Sequence, residues 1–72
     1  SVDELMEKAE RLFRSGRVTQ LDWDRFNVVG NHGTYLVQVL VDGRVTCNCT
    51  GFQNRKMCSH AMAVILMRKQ KG

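Results

Sequence analysis

The chain has 72 residues, of which 43% are hydrophobic, and its net charge at pH 7 is +4. This length suffices for one small domain whose core alone gives marginal stability, so we expect a metal ion, disulfides or a partner to stabilise it. The longest apolar run, residues 61–67, is far shorter than the roughly 20 residues of a membrane-spanning helix. With no signal-peptide pattern at the N-terminus, we expect an intracellular protein, cytoplasmic or nuclear.

The N-terminal segment is predicted to form an amphipathic helix over residues 2–15. Apolar residues recur there at helical spacing, from Val2 to Phe13. Ser1 and Glu4 form a capping-box pattern at the start, and Gly16 suits the C′ position at the end. We expect the apolar stripe to pack against a sheet, with partner binding as the alternative.

The middle of the chain favours strands and turns. Asp42-Gly43 lies between two apolar runs and predicts a two-residue type I′ hairpin turn. Residues 31–33 have the composition of a turn. Segments rich in Val, Leu and aromatic residues predict the strands, at residues 23–29, 34–41 and 44–47, and residues 18–21 are expected to be extended. The predicted fold class is therefore α+β, with a short antiparallel sheet of about three strands flanked by two helices.

Aromatic and histidine side chains in this region have two interpretations each. We expect Trp23, Phe26 and Tyr35 to pack in the core, since aromatic residues on a small sheet are mostly buried, with base stacking as the alternative. His32 lies between Asn31 and Gly33. We therefore expect an exposed turn residue there, with metal ligation as the alternative.

Cysteine and histidine residues form two close pairs in the C-terminal half. Cys47 and Cys49 are two positions apart at the end of a predicted strand, so both sulfurs point to one face. Cys58 and His60 repeat this offset, and because positions i and i+2 do not share a helix face, we expect Cys58 just before the last helix. An odd number of cysteines disfavours a disulfide framework. Three Cys and one His form a standard tetrahedral set for one structural Zn²⁺.

The segments around these ligands differ in character. Residues 50–57 are polar and are predicted to be an irregular loop, whereas a helix that is apolar on nearly all sides is predicted from Ser59. Two other interpretations of the cysteines remain, namely three free thiols beside an incidental histidine, or a redox dithiol of Cys47 and Cys49. The sequence has no Cys-x-x-Cys helix start or thioredoxin-like βαβ pattern that would support the redox role.

The pattern Cys-x-Cys, a short spacer and Cys-x-His resembles the SWIM-type zinc finger. Phe52, Ala61 and Leu66 fit apolar positions of that family, and the preceding strands fit its β-β-α order. The resemblance covers roughly residues 34–67 of a single domain, residues 1–72, and leaves the helix at 1–16 as an addition. It implies one structural Zn²⁺ and a non-enzymatic module that binds DNA or another protein.

Positive charge is concentrated in the C-terminal part of the chain. Residues 1–43 carry five basic and seven acidic side chains, whereas residues 44–72 carry six basic and no acidic ones. Such a segment attracts nucleic acid through counterion release, and solvation or helix capping is the alternative role. The predicted nucleic-acid-binding residues are Arg44, Arg55, Lys56, Arg68, Lys69 and Lys71. We expect DNA as the partner, or alternatively a protein docked on the apolar helix or a sheet edge, and neither a membrane nor a small-molecule substrate.

Overall fold

A computed structural model describes residues 2–71, and the side chains of residues 3–70. The elements in chain order are α1 (Val2–Arg14), β1 (Val18–Gln20), β2 (Arg25–Val29), β3 (Thr34–Val39), β4 (Val45–Cys47), α2 (Thr50–Arg55) and α3 (Ser59–Lys71). The strands form one antiparallel sheet in the order β1-β2-β3-β4, joined by hairpins. The α+β class is thus confirmed. No helix in the described part of the chain has the length and apolar character to cross a membrane.

The sheet has four strands rather than the predicted three. The additional strand is β1, whose residues pair in antiparallel register with β2, from Val18 opposite Val28 to Gln20 opposite Phe26. Only the first residue of β1 is buried. Because a three-residue segment with one buried position shows almost no alternation, its sequence predicts extension without predicting a partner strand.

Helix α1 ends as predicted but packs on a different element. Gly16 follows it with φ +75°, the left-handed conformation expected at C′. The predicted N-cap, Ser1, lies outside the described residues. The apolar stripe of α1 packs chiefly on α3 rather than on the sheet, with Ala9 fully buried. Both helices therefore lie on one face of the sheet.

The core lies between α3 and the inward face of the sheet. Alternate residues of the two central strands are buried there against Ala61 and Val64 of α3, namely Phe26, Val28, Val37 and Val39. The prediction for Phe26 is confirmed, and Tyr35 is half-buried beside the core. The prediction for Trp23 is wrong, because this side chain is 74% exposed at the tip of the β1–β2 loop. The Asp22 carboxylate accepts hydrogen bonds from the Asp24 N–H and the Arg25 guanidinium. These bonds tighten the loop and leave the indole in solvent.

The turns also differ in part from prediction. The β3–β4 loop is closed by Leu40 N–H donating to Arg44 O at 2.7 Å and Gly43 N–H donating to Leu40 O at 2.9 Å. Gly43 has φ +91° but Asp42 does not have positive φ. The predicted type I′ turn is therefore wrong, since it needs positive φ at both positions, and the loop is a three-residue connection ending in a left-handed glycine. His32 is exposed in the β2–β3 turn, as predicted.

The segment after β4 is more ordered than expected. Residues 50–57 were predicted to be irregular, yet α2 occupies Thr50–Arg55. Its N-cap is Cys49, whose sulfur accepts from the Phe52 N–H, and it ends at Lys56 in the left-handed conformation. The prediction was wrong because cysteine is not among the residues that usually cap a helix, so the sequence showed no helix start. In the structure the Cys49 sulfur supplies the acceptor that caps α2.

Candidate metal centre

The four predicted zinc ligands gather at one end of the sheet. Strand β4 ends at Cys47, and Cys49 and Cys58 stand immediately before α2 and α3. His60 lies in the first turn of α3, as predicted. Because adjacent strands are antiparallel, β4 ends on the same side of the sheet as the β2–β3 turn, residues 30–33. We call this side the metal end, and the side with the loops at residues 21–24 and 40–44 the loop end.

The geometry of the four side chains fits one zinc ion. Their donor atoms all lie within 4.8 Å of one another, and the Cys47 sulfur lies 3.9 Å from Nδ1 of His60. Tetrahedral coordination at Zn–S bonds of about 2.3 Å separates ligand sulfurs by about 3.8 Å, so a small contraction suffices. The three cysteines are free of disulfides and only 6% exposed each. Four protein donors also leave no coordination position for a substrate.

Two of the ligand sulfurs start the helices that follow them. Cys49 Sγ accepts from the Phe52 N–H at 3.4 Å, and Cys58 Sγ accepts from the Ala61 N–H at 3.4 Å. Each sulfur therefore takes the place of an N-cap oxygen at a helix start, where backbone N–H groups lack intrahelical acceptors. The N–H donors also stabilise negative charge on the sulfurs, which suits them to bind a cation as thiolates.

The imidazole of His60 is held by two residues outside the Cys/His pattern. Its ring packs against that of Tyr35, with 4.4 Å between centroids and 34° between the ring planes. Its Nε2 lies so close to Gly30 that a Cβ at that position would stand 2.7 Å away. Since Nδ1 faces the cysteine sulfurs, we assign Nδ1 as the ligating nitrogen, with Nε2 turned towards Gly30. No sequence pattern signals these contacts, because Gly30 and Tyr35 are far from the ligands in the chain.

Comparison with known protein families agrees with this geometry. The family model described as SWIM zinc finger matches residues 35–69, a segment that contains all four donors. The chain carries a SWIM zinc finger. The resemblance predicted from the two ligand pairs is confirmed, and with it one structural zinc ion. The three cysteines and His60 form a cluster whose donor atoms lie close enough together to hold it. No curated protein and no solved structure matches the chain.

The thiols of this SWIM zinc finger differ in their acidity. The Cys47 thiol donates a hydrogen bond to the Cys58 sulfur, and this bond lowers the pKa of Cys58 to about 4. The same bond, followed by burial, raises the pKa of Cys47 above its usual range. The two sulfurs therefore share a proton within the pair, and zinc binding must displace that proton.

The six predicted nucleic-acid-binding residues of the chain do not share one surface. Arg55 and Lys56 are exposed together on α2, at the metal end. Arg44 lies at the loop end, where its Nε is 2.7 Å from Oδ2 of Asp42. The others follow in the last turns of α3, where Arg68 lies about 14 Å along the helix axis from its start. Lys69 beside it is exposed, and the side chain of Lys71 lies outside those described.

Proposed function

We propose that the SWIM zinc finger of this chain is a non-enzymatic module that binds nucleic acid, in the first place DNA, inside the cell. The observation that carries this proposal is the pair Arg55 and Lys56, exposed on a short helix whose N-cap is a zinc ligand. Among the described residues no carboxylate forms an ion pair with either side chain. Two free cations on a rigid metal-bound helix suit the contact of backbone phosphates.

The backbone at Lys56 supports a role for its side chain. It is the one non-glycine residue among residues 2–71 with positive φ, at φ 60° and ψ 19°. A left-handed conformation costs a residue with a Cβ about 1–2 kcal/mol, and glycine or asparagine usually occupies such a helix end. A lysine kept at this strained position is displayed in one fixed direction beside the zinc ligands. Functional sites are where such strain is typically found.

The zinc ion would supply the rigidity that this function needs. Structural zinc in small peptides contributes about 10–16 kcal/mol, whereas a typical whole domain is stable by about 5–15 kcal/mol. Helix α2 has no fully buried residue and contacts the core through the half-buried Phe52, so its position depends largely on the metal ligand that caps it. The three free thiols that hold the ion favour a reducing, intracellular environment.

The salt dependence of binding tests the proposal. We expect the zinc-loaded chain to bind duplex DNA with an affinity that falls linearly with the logarithm of salt concentration. The double variant Arg55→Gln/Lys56→Asn removes both charges, and asparagine tolerates the left-handed backbone at position 56. It should fold normally and lower the slope of the log–log plot by about 1.8, which is two phosphate contacts.

A matched control separates this face from overall charge. The double variant Arg14→Gln/Arg25→Gln also removes two positive charges, but both arginines already pair with carboxylates, Glu10 and Asp22. We expect the slope of its log–log plot to differ from that of the parent by less than the equivalent of about half a phosphate contact. If Arg55→Gln/Lys56→Asn bound DNA as tightly as the parent, the proposed face would be wrong.

A second candidate function is docking on a protein through the loop end. Trp23 is 74% and Val41 98% exposed. The loop that carries Trp23 is bound to the end of β3, just before the loop that carries Val41, because the Val39 N–H donates to Asp24 O at 2.7 Å. Leu21 and Leu40 add exposed apolar surface nearby in sequence. Partner binding through this surface would be nearly independent of salt and would be lost in Trp23→Ser, which leaves the metal end unchanged.

A further inference from the structure

A pocket of about 470 Å³ lies between α1 and the metal centre. This volume is within the usual range of small-molecule sites. Its walls come from one face of α1, the chain just before β1, the β2–β3 turn and the start of α3. The lining residues are Lys8, Arg11, Leu12, Ser15, Arg17, Gly30, Asn31, Ser59 and His60. Most of them precede the segment that matches the SWIM zinc finger.

The charge of the pocket is positive. Lys8 and Arg11 lie three positions apart on α1 and so face the same side, and Arg17 lines the same cavity. No Asp or Glu is among the lining residues. Within residues 3–70, none of these three cations forms an ion pair with a carboxylate. Even against the net −1 of three thiolates and a zinc ion, the three cations leave a positive surplus.

Uncharged donors reinforce the cations. With Nδ1 of His60 directed at the metal, a neutral imidazole carries its proton on Nε2, and a metal-bound histidine normally donates that proton to an acceptor. Nε2 lies beside Gly30, itself a pocket residue, and no hydrogen-bond partner for it exists among the described residues. Ser59 and His60 also begin α3, where backbone N–H groups have no intrahelical acceptor. The amide of Asn31 completes the polar lining.

We propose that this pocket binds a phosphoryl group, held by Lys8, Arg11 and Arg17. Three cations and neutral N–H donors around a concave site match the charge and acceptor oxygens of a phosphate. The inference goes beyond the proposed function, because none of the pocket cations belongs to the Arg55/Lys56 face. Two sources supply this chemistry, namely a free phosphorylated small molecule and the backbone or end of a nucleic acid.

Titration of the zinc-loaded chain with inorganic phosphate tests the pocket directly. At constant ionic strength, ¹H–¹⁵N chemical shifts should change saturably at the backbone amides that line it, those of Gly30, Asn31, Ser59 and His60. Arg11→Gln and Arg17→Gln should each weaken binding about tenfold, since each removes a charge-assisted hydrogen bond. Arg14→Gln is the matched control, because Arg14 lies on the same helix outside the pocket and pairs with Glu10. It should change the affinity less than twofold.

The remaining arms separate the sources and the two proposals. If single-stranded oligothymidylate with a 5′-phosphate displaces inorganic phosphate, the pocket binds a nucleic-acid phosphate. If the oligonucleotide and inorganic phosphate bind together, the pocket binds the phosphate of a free small molecule. Each result supports the site. Arg55→Gln/Lys56→Asn should leave phosphate affinity unchanged, so failure of the DNA face and failure of the pocket are distinguishable. Unsaturable shifts, or equal weakening by Arg14→Gln and Arg11→Gln, would overturn the proposal.

Discussion

Replacing Gly30 with alanine is expected to weaken zinc binding although Gly30 is not a ligand. The new Cβ would stand 2.7 Å from Nε2 of His60 and 3.0 Å from Cε2 of Tyr35. Ordinary contact begins near 3.4 Å, so the imidazole must move by about 0.7 Å, whereas metal–ligand distances vary by only about 0.2 Å. The ring packs against Tyr35 and, in the zinc-bound chain, would be held at the ion by Nδ1, so it has little freedom to move.

The size of the effect follows from what supports a metal-bound histidine. Disturbing the partners that orient such a ligand costs about 10–100-fold in metal affinity, or about 1.4–2.7 kcal/mol. The backbone at residue 30 does not have positive φ, so without the clash alanine would stabilise the fold by about 0.4–1 kcal/mol. The penalty should therefore appear in the zinc-bound state and not in the metal-free chain.

Competition titration with a chromophoric chelator at pH 7 measures the zinc dissociation constant of each variant. Gly51→Ala is the control, because its Cβ meets nothing closer than 4.0 Å, at Cys49 Sγ and Cys58 Cβ. Gly51 lies within α2, where alanine should add up to about 1 kcal/mol of stability without loss of zinc affinity. If Gly30→Ala bound zinc within twofold of the parent, the account of the His60 environment would be wrong.

Three further predictions concern the metal and its loop. Cys58→Ser keeps an N-cap side chain for α3 but removes a ligand, so circular dichroism should show an unfolded chain at zinc concentrations that fold the parent, and a folded variant would contradict this. Because the raised pKa of Cys47 keeps its proton on the metal-free chain, zinc affinity should fall by at least about tenfold for each pH unit between 7 and 5 in chelator competition, and a flat profile would show that no proton is released. Lys56→Gly should raise the free energy of unfolding by about 1 kcal/mol in urea denaturation of the zinc-bound chain, whereas Lys56→Ala should not, because only glycine relieves the left-handed backbone.

The parts of the site that depend on local spacing were predictable from the sequence. Two sulfurs at i and i+2 on a strand end, and a Cys-x-His pair at a helix start, have few ways to be arranged around one ion. The residues that position the ligands were not predictable in this way. Gly30 meets His60 only because β2, β3 and α3 pack together, and a single sequence does not encode that contact as a pattern.

The same distinction explains the errors in the fold. Helix α2 forms because Cys49, held at the metal centre, caps it. The polar composition of residues 50–57 therefore led to the wrong prediction of an irregular loop. Trp23 is exposed because hydrogen bonds of Asp22 tighten its loop, against the usual preference of tryptophan for burial. The pocket cations lie in the half of the chain with net negative charge. These cations come together because α1 packs on α3, so the charge count along the chain did not predict a positive pocket.

Native mass spectrometry of the purified chain before and after a chelator, paired with circular dichroism, tests the role of zinc most directly. We expect one zinc ion per chain, and loss of helix and sheet signal when the ion is removed, because three thiolates and one imidazole at one end of a small core hold α2 and α3 in place. A chain that contains no metal and yet keeps its full secondary-structure signal would contradict the account.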